Sequence, residues 1–475
     1  HRAGLDAETF GVAREFPGVG PQQAKGIELN PFAAELARVT IWIGEIQWMR
    51  RNGFDVSKRP ILKPLDTIEC RDAILANDGS EPEWPEADAI IGNPPFLGDK
   101  RMLDVLGDNY VTALRHHYQG RVPKAANLVC YWFEKAWKIV ATSHADRVGL
   151  VATNSIRHGA NREVLQPITE NGTIFCAWSD EPWVADGASV RVSLVAFTRK
   201  NVEQSYRLDG SAVSVIYSDL SSGEVDVTQA RRLPENPHVA FQGPVKVGPF
   251  EVSGELARQW LQAPTNPNGR SNEEVLRPWL NGRDVVARPS GKWIIDFAEM
   301  TEAKAALFQE PFEHVRQHVY PIRARNRREK RRRFWWQHGE TVPGLRHAIA
   351  GLPKFIVTPR VSSHRLFMWA PPRTLPDSRL VAIARSDHTT FGIVHSRFHE
   401  LWSLRLGAWH GVGNDPQYTP SIVFETFPFP SGLTPDIPAS DYASDPRAQA
   451  IAEAARKLNE QREAWLNPPD LVKRE

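Results

Sequence analysis

Asn93-Pro94-Pro95-Phe96 stops the apolar run ADAIIG at a rigid elbow. Two consecutive prolines cannot continue a strand ladder, because each lacks a backbone N–H and fixes its own φ. They can instead hold two oxygens, the Asn93 side-chain oxygen and the Pro94 carbonyl, in one arrangement. Two acceptors aimed at both N–H bonds of an exocyclic amine favour a tetrahedral nitrogen and localise a lone pair that the ring otherwise delocalises. Methylating such an amine requires that change. The Phe96 ring offers a face on which a base can stack, worth roughly 1–3 kcal/mol per base. A sulfonium methyl donor is already electrophilic, so the reaction needs no metal.

The elements that must position this elbow alternate between strand-like and helix-like patterns over about the first 200 residues, which predicts an α/β sheet with helical crossovers. QAKGIELN reads as a strand ending at Glu28 and Asn30, and Pro31 opens a helix that closes at Gly53. LDTIECRDAIL reads as a second strand ending near Asp72 and Ala73, and ADAIIG as a third. ANLVCYWFEKAWKIV is an apolar helix, RVGLVATNSI and GASVRVSLVAFTRK are further strands, and YRLDGSAVSVIYSDL adds a hairpin-like extension. Ligands of open α/β sheets bind at the carboxyl ends of the strands. Glu28 is placed to accept two hydrogen bonds from a ribose diol, and Asp72 to receive an adenine amino group. The elbow, including Asn93, projects into the same crevice.

Bulk composition narrows the class. The chain has 475 residues, 41% hydrophobic and 24% charged, with a formal net charge of +2, ordinary values for a globular protein of two or three domains. Its three cysteines are far apart and odd in number, which argues against a disulfide scaffold and fits a reducing compartment. No apolar run approaches the roughly 20 residues that span a bilayer, so no membrane partner is expected.

Residues 230–250 are rich in proline and glycine and read as a boundary. The expected domains are 1–230, catalytic; 231–435, a loop-rich α+β recognition domain; and 436–475, a linker and an amphipathic helix. That helix covers residues 446–465, starts after Asp445, and carries Ile451, Ala455, Leu458 and Trp465 on one face. In RARNRREKRRR, residues 323–333, eight of eleven residues are basic, which suits phosphate contact. The candidates for DNA contact are Arg323, Arg325, Arg327, Arg328, Lys330, Arg331, Arg332 and Arg333, with Arg360, His364 and Arg365 beyond them. The Trp335 and Trp336 that follow are expected in the core. His395 and His399 lack the glutamate inside the pair that a zinc protease needs, and His116 and His117 diverge on a helix, so no metal site is expected.

The elbow resembles the catalytic motif of amino-group DNA methyltransferases that use S-adenosylmethionine. GIELNPFAAELARVTIWIGEIQW is similar to that family's ribose-binding strand and helix, and RDAI to its next acidic motif. ANLVCYWFEKA and VGLVATNSI resemble the segments after the elbow. VLRPWLNGRDV, RRFWWQHG, FIVTPRVSSHRLF, FGIVHSRFHELWSLR and YTPSIVFETFPFP resemble the target-recognition region of large MmeI-like (type IIL/IIG or phage-defence) adenine methyltransferases. The resemblance implies a Rossmann-like methyltransferase sheet followed by a target-recognition domain. It implies transfer of a methyl group from S-adenosylmethionine to adenine N6 in double-stranded DNA, in a prokaryotic cytoplasm. The target base is flipped out because its amine is unreachable in the stack. By this reading Asn93, Pro94, Pro95 and Phe96 are catalytic, and Glu28, Asn30, Asp72, Ala73 and Asn93 hold the cofactor. Adenine over cytosine-N4 comes from the resemblance, since the elbow serves both amines.

The family's Gly-rich cofactor loop is the missing piece. FPGVG, residues 16–20, has its letters, but seven residues separate Gly20 from Glu28, and a parallel crossover needs about 10–12. FPGVG is therefore read as a lead-in loop, and the chain as truncated at both ends, with the Gly-rich loop coming from a region before His1 or from a second chain. Two other functions compete with this one. A non-catalytic DNA-recognition module differs from it in failing to bind cofactor. Protein-glutamine methyltransferases share an Asn-Pro-Pro elbow but do not need some 200 basic, aromatic-rich residues after the fold.

Overall fold

The computed structural model describes residues 19–52, 64–185, 188–200, 202, 205–223, 226–407, 409–410 and 415–468. The chain divides at residues 224/225 into two units. Gly53 and residues 16–18 of the FPGVG stretch lie outside the described residues.

In the first unit, strand β1 (Gly26–Glu28) pairs in parallel with β2 (Ile68–Cys70). Helix α1 (Pro31–Arg51) starts where the sequence predicts, with Pro31 in the first turn and Asn30 as its cap. It packs on this strand pair through Ala34, Ala37, Ile41 and Trp42, against Leu65 and Ile68. Its other face carries Phe32, Leu36, Val39 and Ile43, all exposed and spaced by one helical turn.

Strand β3 (Ala89–Gly92) ends at the elbow. Helices α2 (Asp99–Leu106), α3 (Asp108–His117) and α4 (Cys130–Ala141) carry the chain back to β4 (Arg147–Thr153), which pairs with β3 in parallel. Phe133, Ala136 and Val140 of α4 are buried with Val148 and Leu150 of β4 in one core. These parallel pairs with helical crossovers are the Rossmann-like α/β elements expected. Strands β5 (Gly172–Ala185), β6 (Ala188–Arg199), β7 (Tyr206–Leu208) and β8 (Ser211–Val213) complete a six-stranded sheet of order β3-β4-β6-β5-β7-β8. The expected hairpin is β7–β8, turning at Asp209 and Gly210 with φ of 50° and 80°, the left-handed pair that a tight hairpin needs.

The long strand β5 has no counterpart in the sequence reading. It shifts register against β6 between Ile174 and Cys176 and again between Trp178 and Glu181. Each shift resets the two-residue alternation by which a strand is recognised.

The second unit holds two four-stranded sheets. The strands of these two sheets are β9 (Ala240–Gln242), β10 (Glu251–Val252), β11 (Leu276–Leu280), β12 (Trp293–Ile295), β13 (Phe355–Pro359), β14 (Met368–Ala370), β15 (Leu375–Pro376) and β16 (Leu380–Ile383). One sheet runs β10-β12-β11-β15 and the other β14-β13-β16-β9. Helices α5 (Tyr320–Ala324) and α6 (Glu329–Arg333) carry the basic segment, and Trp335 and Trp336, as expected, are buried beside the first sheet's core. Further on come α7 (His388–His395), α8 (Arg397–Leu406) and the C-terminal α9 (Pro446–Leu466). Rather than standing apart, α9 packs on α7: a Cβ at Gly392 would lie 2.6 Å from Ile451 Cγ2 and 3.2 Å from the Ala455 Cβ. Ile451 and Ala455 therefore make the expected contact face, whereas Leu458 and Trp465 are exposed.

Candidate active site

β1 and β3 each pair on one side only among the described residues, and both line one cavity of about 790 Å³. Glu28, Asp72, Ala73, Asn93, Pro94 and Pro95 all reach its wall. Phe96 does not; the residue is 37% exposed just past the elbow. Ile91, on the free edge of β3, is 87% exposed. Lys25 Nζ donates to the Glu86 carbonyl (2.5 Å), linking the segments that enter the two strands.

Each carboxylate is held in place by local backbone. Glu28 Oε1 accepts the Asn30 N–H at 2.9 Å. Asp72 Oδ1 accepts the N–H groups of Ile74 (2.8 Å) and Leu75 (3.1 Å), and Oδ2 accepts the Tyr110 hydroxyl (2.8 Å). Burial, together with the Asp72 carboxylate, pushes the Tyr110 phenol well above its usual range, so it stays a proton donor to Asp72. The Ala73 carbonyl accepts the Trp84 indole N–H (2.7 Å). Asp72 Oδ2, with one partner, keeps capacity for a further hydrogen bond.

Asn30 is a correction. Its side-chain oxygen caps α1, accepting from Phe32 N (2.9 Å) and Ala33 N (3.3 Å), and the residue is not part of the cavity wall. A helix cap and a ligand contact both call for an Asn at a strand end, which is why sequence does not separate them. Sequence reasoning also missed Trp84, Tyr110 and Trp132, three aromatic residues of the wall. Tyr110 lies 38 positions from Asp72 in the chain, and no motif spacing signals such a pair.

The basic segment divides into exposed and buried side chains. Arg325, Arg327, Arg328, Lys330, Arg332 and Arg333 are exposed, and Arg331 is half-buried. Arg323 is 0% exposed. Its guanidinium donates to the carbonyls of Lys246 (2.9 Å), Gln337 (2.8 Å) and Arg331 (3.4 Å), so it ties backbone together and does not reach a phosphate. Arg365 is similar: it donates to the carbonyls of Pro359 (2.7 Å) and Pro416 (3.0 Å), and burial lowers its pKa to about 10. Arg360 is half-buried and His364 exposed. His399 is buried with its Nε2 2.9 Å from the Tyr418 hydroxyl, and His395 Nδ1 meets the Phe391 carbonyl (2.9 Å). Both histidines serve packing.

Three comparisons bear on this geometry. Residues 9–208 match the family model of the MmeI DNA-methyltransferase domain. DNA methyltransferase A of Bacillus subtilis (strain 168) is 29% identical over 170 residues, covering 33% of this chain and 18% of that protein. The solved structure of the type IIL restriction-modification enzyme MmeI in complex with DNA is similar with a TM-score of 0.73 and 18% identity. That likeness covers 95% of this chain and 60% of the MmeI chain. The chain thus spans less than two thirds of either relative. The acidic strand ends and the Asn-Pro-Pro elbow that share one cavity thus lie within the stretch, residues 9–208, that matches the MmeI DNA-methyltransferase domain.

Proposed function

We propose that this chain carries the methyl-transfer and DNA-recognition parts of an S-adenosylmethionine-dependent DNA adenine-N6 methyltransferase of a restriction-modification or phage-defence system. The observation that supports it most is the opening of the Asn93–Pro94 elbow onto the same cavity as Glu28 and Asp72.

The residues present fit the cofactor. The cavity's volume falls within the roughly 300–1,000 Å³ of small-molecule sites. A preset carboxylate at Glu28 suits a ribose diol, and Asp72 beside Trp84 and Tyr110 suits an amine-bearing aromatic ring. S-adenosylmethionine, when bound, supplies an electrophilic methyl group. Asn93 and Pro94 would accept the two N–H bonds of the flipped adenine, raising the nucleophilicity of its nitrogen. Phe96, exposed just past the elbow, would stack on the base. The exposed side chains of Arg325, Arg327, Arg328, Lys330, Arg332 and Arg333, with half-buried Arg331, would contact phosphates.

The test is incubation with S-adenosylmethionine and double-stranded DNA, followed by nucleoside mass spectrometry. N6-methyladenine is expected from the native chain, with a loss of at least 100-fold in Asn93→Ala. N4-methylcytosine in its place would redirect the reading to the other amine, and methyl transfer undiminished in Asn93→Ala would overturn the role of the elbow.

A second reading is supported by the edges of β1 and β3 that are unpaired among the described residues: a DNA-recognition subunit whose cofactor wall is completed by a strand and Gly-rich loop from a second chain. DNA binding without binding of S-adenosylhomocysteine would favour it.

A further inference from the structure

The two prolines fix the entry to the elbow but not its exit, where Leu97, Gly98 and Asp99 lead into α2. The exit is held from elsewhere. Asn127, in the turn before α4, accepts the Asp99 N–H on its side-chain oxygen (3.2 Å). Its side-chain N–H donates to Ser155 Oγ (3.1 Å), just past the carboxyl end of β4. Its own backbone N–H donates to Asn161 Oδ1 (2.7 Å), and Asn161 in turn donates to Ser155 Oγ (3.3 Å). The next residue, Leu128, donates its N–H to the Leu97 carbonyl (2.9 Å). The amide of Asn127 is thus used at both ends, oxygen toward the elbow and nitrogen toward β4.

We propose that Asn127 is a positioning residue for the elbow, locking its exit to the end of β4 so that the acceptors at Asn93 and Pro94 keep their aim. This rests on the methyl-transfer reading. A misplacement of about 1 Å at a reacting centre can cost a factor on the order of 100, and Gly98 gives the exit no stiffness of its own.

The test uses the full chain and two readouts. The first is hydrogen–deuterium exchange of peptides covering residues 97–99, which requires no methyl transfer. Asn127→Ala is expected to speed exchange there about tenfold or more, with β4 and α4 unchanged. Asn127→Asp keeps an oxygen for the Asp99 N–H, and the Ser155 hydroxyl can turn to donate to it, so this variant is expected to stay near native. The second readout is kinetic: in Asn127→Ala, kcat falls roughly 10- to 100-fold while both KM values stay within about threefold.

Unchanged exchange in Asn127→Ala, or an Asn127→Asp as impaired as the alanine variant, overturns the proposal. A kcat within twofold of native does so too. If Asn127→Ala fails to fold, Ser155→Ala removes the anchor while keeping Asn127, and the same two readouts decide. If the native chain transfers no methyl group, the exchange result still decides whether Asn127 holds the elbow, and the methyl-transfer reading fails separately.

Discussion

Removing the Glu28 carboxylate gives the sharpest test of the cavity as a cofactor site. A ribose diol donating both hydroxyls to this carboxylate forms two hydrogen bonds to a charged acceptor, each worth about 1.5–3 kcal/mol. Glu28 is half-buried at a strand end, so solvent competes and the lower bound applies, about 3 kcal/mol for the pair. Glu28→Ala should therefore weaken S-adenosylhomocysteine roughly 100- to 200-fold. Glu28→Gln should cost about tenfold, because the Asn30 N–H, 2.9 Å from Oε1, selects the amide oxygen and turns the NH2 toward the ligand. Calorimetric titration measures both, with thermal unfolding as a control for fold. An alanine variant that binds within threefold of native, at unchanged melting temperature, would rule out Glu28 as a ligand of the ribose.

Three further outcomes follow from the geometry. Asp296 is buried and accepts two hydrogen bonds from Arg346 (2.5 and 2.8 Å); Asp296→Ala strands that guanidinium and should destabilise the second unit by about 3–5 kcal/mol in denaturant unfolding. Replacing Arg325, Arg327 and Arg328 by Gln should reduce the slope of log DNA affinity against log salt by roughly 2–3, whereas Arg323→Met should lower the melting temperature and leave that slope unchanged. Burial, aided by Arg365, holds His399 down at about 3 from an ordinary 6.5. Its unfolded form takes up protons first, so the stability it contributes is complete above pH 6.5 and falls as pH drops toward about 3; acid titration of unfolding should show a shallower fall in His399→Gln.

The parts of the site that were legible in sequence are those where local chemistry alone dictates geometry. Pro31 after Asn30 marks a helix start, a double proline marks a strand end, and Asp209-Gly210 marks a tight turn. The unreadable parts depend on residues brought together from far apart. Asn30 looks the same as a cap or a ligand until the helix is seen. Arg323 sits in a run of cations and looks solvated, yet the Lys246 carbonyl it binds is 77 positions away. Asn127 and Asp99 are 28 apart, so the contact that fixes the elbow exit has no signature in either neighbourhood. Strand β5 was hidden by its own register shifts.

The separation of β1 from β3 has a thermodynamic consequence. Among the described residues these strands belong to different sheets and line one cavity, so a molecule that fills it and touches both would act as mortar between them. Its binding free energy is then also cohesion of the first unit, by RT ln(1 + [L]/Kd), or about 2.7 kcal/mol at a hundred times Kd. Loading the site and consolidating the domain become one equilibrium, and the melting temperature of this unit becomes a gauge of ligand concentration.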